Sequence, residues 1–150
     1  MMDKTTLDLQ LDIQIGDWNS LQPDAKLIRS SVFVEEQHIP EAEEWDAHDA
    51  ISQHFVVYHD AQAIATARLL QNRSIGRVAV LKPYRGFNIG YKLMQAIIVH
   101  AQKQNLPDLK LSAQVYATGF YERLGFCQRG DIYDDCGCLL YTSDAADEED

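Results

Sequence analysis

Basic residues are scarce in this chain: 13 lysines and arginines stand against 23 aspartates and glutamates, a formal net charge of −10. Nucleic acid is held chiefly through cations on its phosphates, so this balance excludes it as the expected partner. Long apolar runs are lacking too. None approaches the roughly 20 residues that cross a bilayer, and no charged-then-apolar leader opens the chain. A soluble, cytoplasmic protein with no membrane partner is expected. Only three cysteines occur, Cys127, Cys136 and Cys138. An odd number at no zinc spacing predicts free thiols in a reducing compartment and no metal. Cys136-x-Cys138 could chelate a soft metal only with a second ligand pair, which the sequence does not place nearby. No Ser–His–Asp pattern is evident, and no internal repeat.

What is present reads as one domain over residues 1–143 with an acidic tail at 144–150, expected to be disordered. Leu7, Leu9, Leu11, Ile13 and Ile15 alternate with polar residues, predicting a strand with one buried face. Pro23-Asp24 is read as opening a helix through Leu27, Ile28 and Val32 toward Gln37, although Val32-Phe33-Val34 lowers helix propensity. Residues 38–52 read as a polar loop. Strands at 54–58 and 63–70 form a hairpin turning near His59-Asp60, and 75–80 continues the sheet. A long helix follows, with Ile89, Leu93, Ile97 and Ala101 recurring every fourth residue and Asn105 and Pro107 ending it. A strand at 109–114, a short helix at 117–124 and two strands near 126–130 and 138–142 complete the chain. Hairpins at both ends around a strand–helix–strand centre predict an α/β (α+β) fold, a mixed sheet flanked by helices.

The centre of the chain carries the chemistry. Gly76-Arg77-Val78-Ala79-Val80 is a short strand, Leu81 to Gly90 is a turn-prone loop, and the long helix follows directly. A strand feeding a glycine-bearing loop into a helix leaves several N–H groups unpaired and pointing one way. The helix dipole adds positive charge at the same end, a setting for an anion such as a phosphate. The loop has no Gly-Lys-Ser/Thr ending and no three glycines at dinucleotide spacing, which argues against ATP and NAD. By pattern alone, a plain strand–turn–helix connection remains an alternative.

Arg85-Gly86-Phe87-Asn88-Ile89-Gly90 resembles the pyrophosphate loop of the GNAT superfamily of acyl-CoA-dependent N-acyltransferases, Arg/Gln-x-x-Gly-x-Gly/Ala. Asn88 replaces the middle glycine, and asparagine is the other residue that best tolerates a left-handed backbone. About 30 residues on, Gly119-Phe120-Tyr121-Glu122-Arg123-Leu124-Gly125-Phe126 resembles the second GNAT signature. Arg29, Val32 to Gln37, Pro40, Asp46, Asp49, His54, Gly76-Arg77-Val78, Ala113-Gln114 and Phe120-Tyr121 resemble the ElaA-like branch in particular. One departure is visible: Gly137-Cys138-Leu139-Leu140 stands where the branch has Gly-Ile-Pro-His.

The resemblance implies a GNAT fold: a splayed, mostly antiparallel sheet with acetyl-CoA, or another acyl-CoA, in the gap between its middle strands. Val78, Ala79 and Val80 would pair with the pantetheine and polarise the thioester carbonyl. Arg85, Gly86, Phe87, Asn88, Ile89 and Gly90 would hold the phosphates, and Tyr121, also against the cofactor, would protonate the leaving thiolate. Glu36, then His54, are the candidate bases. Glu36, Asp46, Asp49 and Gln114 are candidate substrate-binding residues. Each has a plainer reading: Tyr121 as packing, Arg85 as a surface arginine, Asp46 and Asp49 as loop caps, Gln114 as the end of a strand. The basic-free cluster Glu35, Glu36, Glu41, Glu43, Glu44, Asp46 and Asp49 would favour a cationic acceptor, or else forms a solvated face.

The function implied is transfer of an acetyl or short acyl group to a primary amine on a small molecule, by direct attack, in a monomer or homodimer. Two alternatives stand beside it. A non-catalytic acyl-CoA-binding module would fit Asn88 and the missing histidine. Phe33-Val34, Trp45-Asp46, Asp49 and Arg68-Leu69-Leu70 bear a fainter resemblance to acyl-homoserine-lactone synthases.

Overall fold

Asp60 and Ala61 both take positive φ, 52° and 67°. Two consecutive left-handed residues make the tight reversal that suits the twist of paired strands. They fold β2 (Gln53–His59) onto β3 (Gln62–Leu69), at the turn expected from the sequence. In this computed structural model, residues 10–114, 118–129 and 137–143 are described. Leu7 and Leu9 of the first predicted strand, and the acidic tail, lie outside them.

β1 (Leu11–Gly16) lies on the outer side of β2. β4 (Ser74–Val80) lies beside β3, followed by β5 (Asp108–Gln114), β7 (Gly137–Ser143) and β6 (Cys127–Arg129). The seven strands form one sheet in the order β1-β2-β3-β4-β5-β7-β6. Every pairing is antiparallel except β4 with β5, so the mixed, mostly antiparallel sheet expected from the sequence is the one observed.

Helices cover both faces. α3 (Ile89–Lys103) buries Ile89, Leu93, Met94, Ile97 and Ala101 against Phe55, Val57, Ile64 and Leu69. α1 (Trp18–Arg29) packs Leu21, Ala25 and Ile28 against Val56 and Ala79 on the other face. A sheet apolar on both faces needs this double cover, which explains why residues 54–57 and 64–69 are continuously buried rather than alternating.

The first helix differs from its expected limits. It begins at Trp18, five residues before Pro23-Asp24, because Asp17 caps it by accepting from the Ser20 N–H at 2.9 Å. Pro23 sits inside it. The bond it cannot donate would have gone to Asn19, an exposed residue whose carbonyl can take water. Beyond Arg29 the helix widens into a π-helical segment, Ser30–Glu36, over the β-branched and aromatic run. The predicted loop at 38–52 contains α2 (Glu41–Glu44) and a 3-10 turn, Asp49–Ile51. The short helix near the second signature is α4 (Thr118–Glu122).

Two irregularities shape the middle of the sheet. Thr66 pairs with Ala79 and Arg68 with Gly76, so β4 spends one residue more than β3. Arg77 supplies it at a φ of 51°, and a bulge of this kind bends its strand. β4 then pairs with β5 only at Ser74–Lys110 and Ile75–Leu111. Past that point β4 stays with β3, while Ser112, Ala113 and Gln114 pair with β7. The two strands part, and the gap opens at their C-terminal ends.

Candidate active site

A strand end, a helix start and a short helix meet at this gap. Val80 ends β4, and a 3-10 turn (Lys82–Tyr84) and the loop 85–88 lead into α3. Gly86 takes a φ of 91° and Asn88 a φ of 64°, so the two left-handed positions of the loop are filled by glycine and by the residue that best substitutes for it. The Asn88 side chain caps nothing. Its carbonyl accepts the first helical bond, from Lys92 N at 3.1 Å, so Ile89, Gly90 and Tyr91 head the helix with N–H groups that have no intrahelical acceptor.

Gly90 shows what lies around that terminus. A β-carbon placed on it would stand 3.8 Å from Phe120 Cζ and 3.8 Å from Val80 Cγ2, in ordinary contact with both. The amide-lined start of α3 therefore faces the end of β4 and the α4 segment together. The two sequence signatures, 30 residues apart, are neighbours in space. Val78, Val80, Phe87, Phe120 and Tyr121 are half-buried around the same apolar core. The Tyr121 ring lies edge-on to Phe120 (4.9 Å between centroids) and to Phe126 (6.0 Å). Ile89 is buried and anchors the loop from below, whereas Ala79 faces α1.

Arg85 reaches across the site. Its Nε donates to the Val80 carbonyl at 2.9 Å, and its Nη1 and Nη2 donate to the two Glu36 oxygens at 2.7 and 2.8 Å. This is a fork-to-fork ion pair at partly exposed side chains. The bond to Arg85 holds the Glu36 carboxyl below its ordinary range, with Lys82 adding to the effect. Glu36 is the last residue of the π-helical segment, which packs against β4.

The other acidic candidates gather elsewhere, in a buried ion network. Arg29, 1% exposed, donates to Glu44 at 2.8 Å and to Asp49 at 2.7 and 3.2 Å. Its guanidinium lies between the Trp18 and Trp45 rings, 5.4 and 5.0 Å from their centroids. Arg68 bridges Asp49 (2.9 Å) and Asp46 (2.7 and 3.1 Å), and Arg77 meets Glu44 (3.1 Å) and Asp46 (3.3 Å). Asp46 also accepts from the His48 N–H, so it turns the loop as well. Hydrogen bonding to Arg68 lowers the Asp46 carboxyl to about 2. Burial pushes Asp49 up, but Arg29 and Arg68 outweigh it and the group ends below its ordinary value.

His54 is 1% exposed, with Nε2 2.9 Å from the Asp49 carbonyl and its ring 4.7 Å from Trp18. A carbonyl only accepts, so Nε2 carries the proton, and burial lowers the pKa of the ring. The structure thus places Glu36 with Arg85 at the loop before α3, and Asp46, Asp49 and His54 with three arginines. Gln114 ends β5 beside the gap, and its side chain lies outside the described residues.

Four of the seven carboxylates of the acidic cluster are accordingly paired rather than open. Glu36, Glu44, Asp46 and Asp49 each carry an arginine partner. Sequence reasoning missed Glu44, Arg68 and Arg77 as members of one network. A signal was available: Arg68 and Arg77 interrupt apolar strands and call for nearby anions, which the basic-free stretch 35–49 supplies.

A sheet opened between two parallel strands, with an amide-lined helix terminus at its mouth, offers an anion backbone donors and the positive end of a helix dipole. The acetyltransferase (GNAT) domain family matches residues 19–142. Protein YyaT of Bacillus subtilis is 36% identical over 109 residues, covering 69% of this chain and 74% of that protein. An acyl-CoA N-acyltransferase from Pseudomonas aeruginosa superposes with a TM-score of 0.80 at 27% identity, over 89% of this chain and 100% of that one. Escherichia coli ElaA superposes with a TM-score of 0.81 at 23% identity, over 89% and 100%. In sequence, ElaA is 29% identical over 120 residues, 73% of this chain and 77% of its own. The chain belongs to the GNAT acetyltransferase family, in its ElaA-like branch.

Proposed function

We propose that the protein transfers an acetyl or short acyl group from acyl-CoA to the primary amine of a small molecule by direct attack in a ternary complex. The observation that carries this reading is the position of Gly90. Its missing side chain opens the start of α3 toward Val80 and Phe120, where a phosphate-bearing thioester can run from the helix terminus along the parted edge of β4. The N–H groups of Ile89, Gly90 and Tyr91 and the loop from Arg85 to Asn88 receive the diphosphate. Val78, Ala79 and Val80 offer backbone to the pantetheine, and an N–H there polarises the thioester carbonyl.

The thioester is already activated, so no covalent enzyme intermediate is needed. The acceptor ammonium gives a proton to Glu36, directly or through water, and the free amine attacks the carbonyl carbon. As the C–N bond forms and the C–S bond breaks, the nitrogen sheds its second proton to solvent. The departing thiolate takes one from the Tyr121 hydroxyl, which is reprotonated from water. Asp46, 33% exposed, is the member of the ion network that can meet the acceptor, whereas Asp49 and His54 hold Arg68 and the loop in place around it. Gln114 closes the far side of the gap.

Two measurements test this reading. Acetyl-CoA should raise the melting temperature by mass action, and an amine panel should release free CoA in proportion to product. A thermal shift without CoA release for any amine would reduce the protein to a binding module. No shift at saturating acetyl-CoA would end the proposal.

A further inference from the structure

The Glu36–Arg85 pair joins the two halves of the proposed chemistry, the proton acceptor and the phosphate clamp, in one salt bridge. Both Arg85 forks are occupied, one by two Glu36 oxygens and the other by the Val80 carbonyl. The end of the π-helical segment is itself held. Gln37 N donates to the Val32 carbonyl at 3.1 Å, Ile39 N donates to the Phe33 carbonyl at 2.9 Å, and His38 reverses the chain at a φ of 61°. Glu36 is therefore presented to Arg85 from a fixed backbone. The pair is also shallow, with side chains 41% and 36% exposed, unlike the buried Arg29–Asp49 pair. Exposed pairs cost little to exchange, and a diphosphate offers a guanidinium the same forked geometry with more negative charge.

We infer that this ion pair is a latch opened by the donor: the phosphates of acyl-CoA take Arg85 over, and only then is Glu36 released to accept the proton of the acceptor amine. The inference rests on the function proposed above and adds an order to it. Without donor, Glu36 is neutralised by Arg85 and is a weak base, so an amine meets a proton acceptor that is already paired. With donor bound, Glu36 is a free carboxylate of ordinary basicity facing a cationic acceptor. Donor binds first, and the acceptor site is charged by it.

Calorimetric titration of the parent, Glu36→Gln, Arg85→Met and the double variant tests the latch, with acetyl-CoA and the phosphate-free donor S-acetylpantetheine as probes. Unchanged circular dichroism and thermal midpoints above the assay temperature establish that each variant is folded. Removing the competing carboxylate should tighten acetyl-CoA binding by about two- to fivefold, the range for an exposed ion pair. Acetylpantetheine binding should not change, and in the Arg85→Met background Glu36→Gln should have no effect. Equal or weaker acetyl-CoA binding by Glu36→Gln would overturn the latch, because Glu36 would then be indifferent to Arg85 or would position it for phosphate. So would the same gain with Arg85 absent, which would indicate general charge repulsion. Parent protein that binds no acetyl-CoA would remove the proposed function and the latch together; parent binding with a failed Glu36→Gln pattern would remove the latch alone.

Discussion

Replacing Asp49 by Asn keeps the size and shape of the side chain and removes its charge. Asp49 is 2% exposed and accepts from Arg29 at 2.7 and 3.2 Å and from Arg68 at 2.9 Å. Taking one partner from a buried ion pair costs roughly 3–5 kcal/mol, because the opposite charge stays buried without compensation. Here Glu44 remains on Arg29 and two Asp46 contacts remain on Arg68, which places the loss near the lower end, about 3 kcal/mol. The amide introduces a further donor among guanidiniums, so relaxation cannot remove the whole penalty. For a chain of 150 residues, about 3 kcal/mol corresponds to a fall of roughly 6–12 °C in Tm. Thermal unfolding followed by circular dichroism at neutral pH measures it, with Asp46→Asn as the control. Asp46 is 33% exposed, and its loss should cost about 1 kcal/mol or less. A Tm for Asp49→Asn within about 2 °C of the parent would refute the reasoning, and would return Asp49 to the list of residues available to substrate.

Gly90→Ala should fold normally, since its methyl meets only ordinary contacts, whereas Gly90→Leu should fill the space beside Val80 and Phe120 and abolish the acetyl-CoA-induced rise in Tm; an unchanged shift in Gly90→Leu would sink the assignment of the loop. Tyr121→Phe keeps the ring packing on Phe120 and Phe126 and should lower turnover by roughly ten- to a thousandfold with little change in acetyl-CoA affinity, measured by steady-state kinetics and calorimetry; equal turnover would assign Tyr121 to packing alone and move the search for the acid to water or Tyr116, which lies outside the described residues. The Asp46 and Asp49 carboxyls are held below their unfolded values, Asp46 at about 2. The stability Asp46 contributes is therefore complete above about pH 4 and lost as pH falls toward 2, and Asp49 acts in the same direction. A melting series over that window should show the midpoint fall, and Asp46→Asn should fall less steeply; identical slopes would mean that Asp46 is not part of the acid response.

The elements that were legible in the sequence are those fixed by local pattern. α3 announced itself by a four-residue apolar period, and the β2–β3 turn lay where His59-Asp60 interrupts apolar runs. The left-handed turn of the loop 85–88 was readable at Asn88, because left-handed backbone is a property of residue type and the structure gives Asn88 a φ of 64°. Elements set by distant partners were not. Trp18 to Gln22 did not read as helix because Pro23 suggested a start rather than an interior position, and the cap that settles the matter is one hydrogen bond from Asp17. The bulge at Arg77 depends on what β3 pairs with, and nothing within 74–80 encodes an extra residue.

The charges of the acidic stretch were the least legible, since a carboxylate in a sequence carries no mark of its partner. Counted along the chain, residues 35–49 form a basic-free run that invites a cation. In space, arginines from α1, β3, β4 and the loop before α3 enter that run and neutralise Glu44, Asp49, Asp46 and Glu36. Three of these pairings are built into the fold, where breaking them costs stability. Glu36 is different, because its arginine belongs to the loop that a phosphate would occupy. Pairing therefore removes Glu36 from what draws a cationic acceptor to the empty protein. Under the latch proposed above the first ligand restores that charge, because Glu36 is the carboxylate whose partner the ligand competes for.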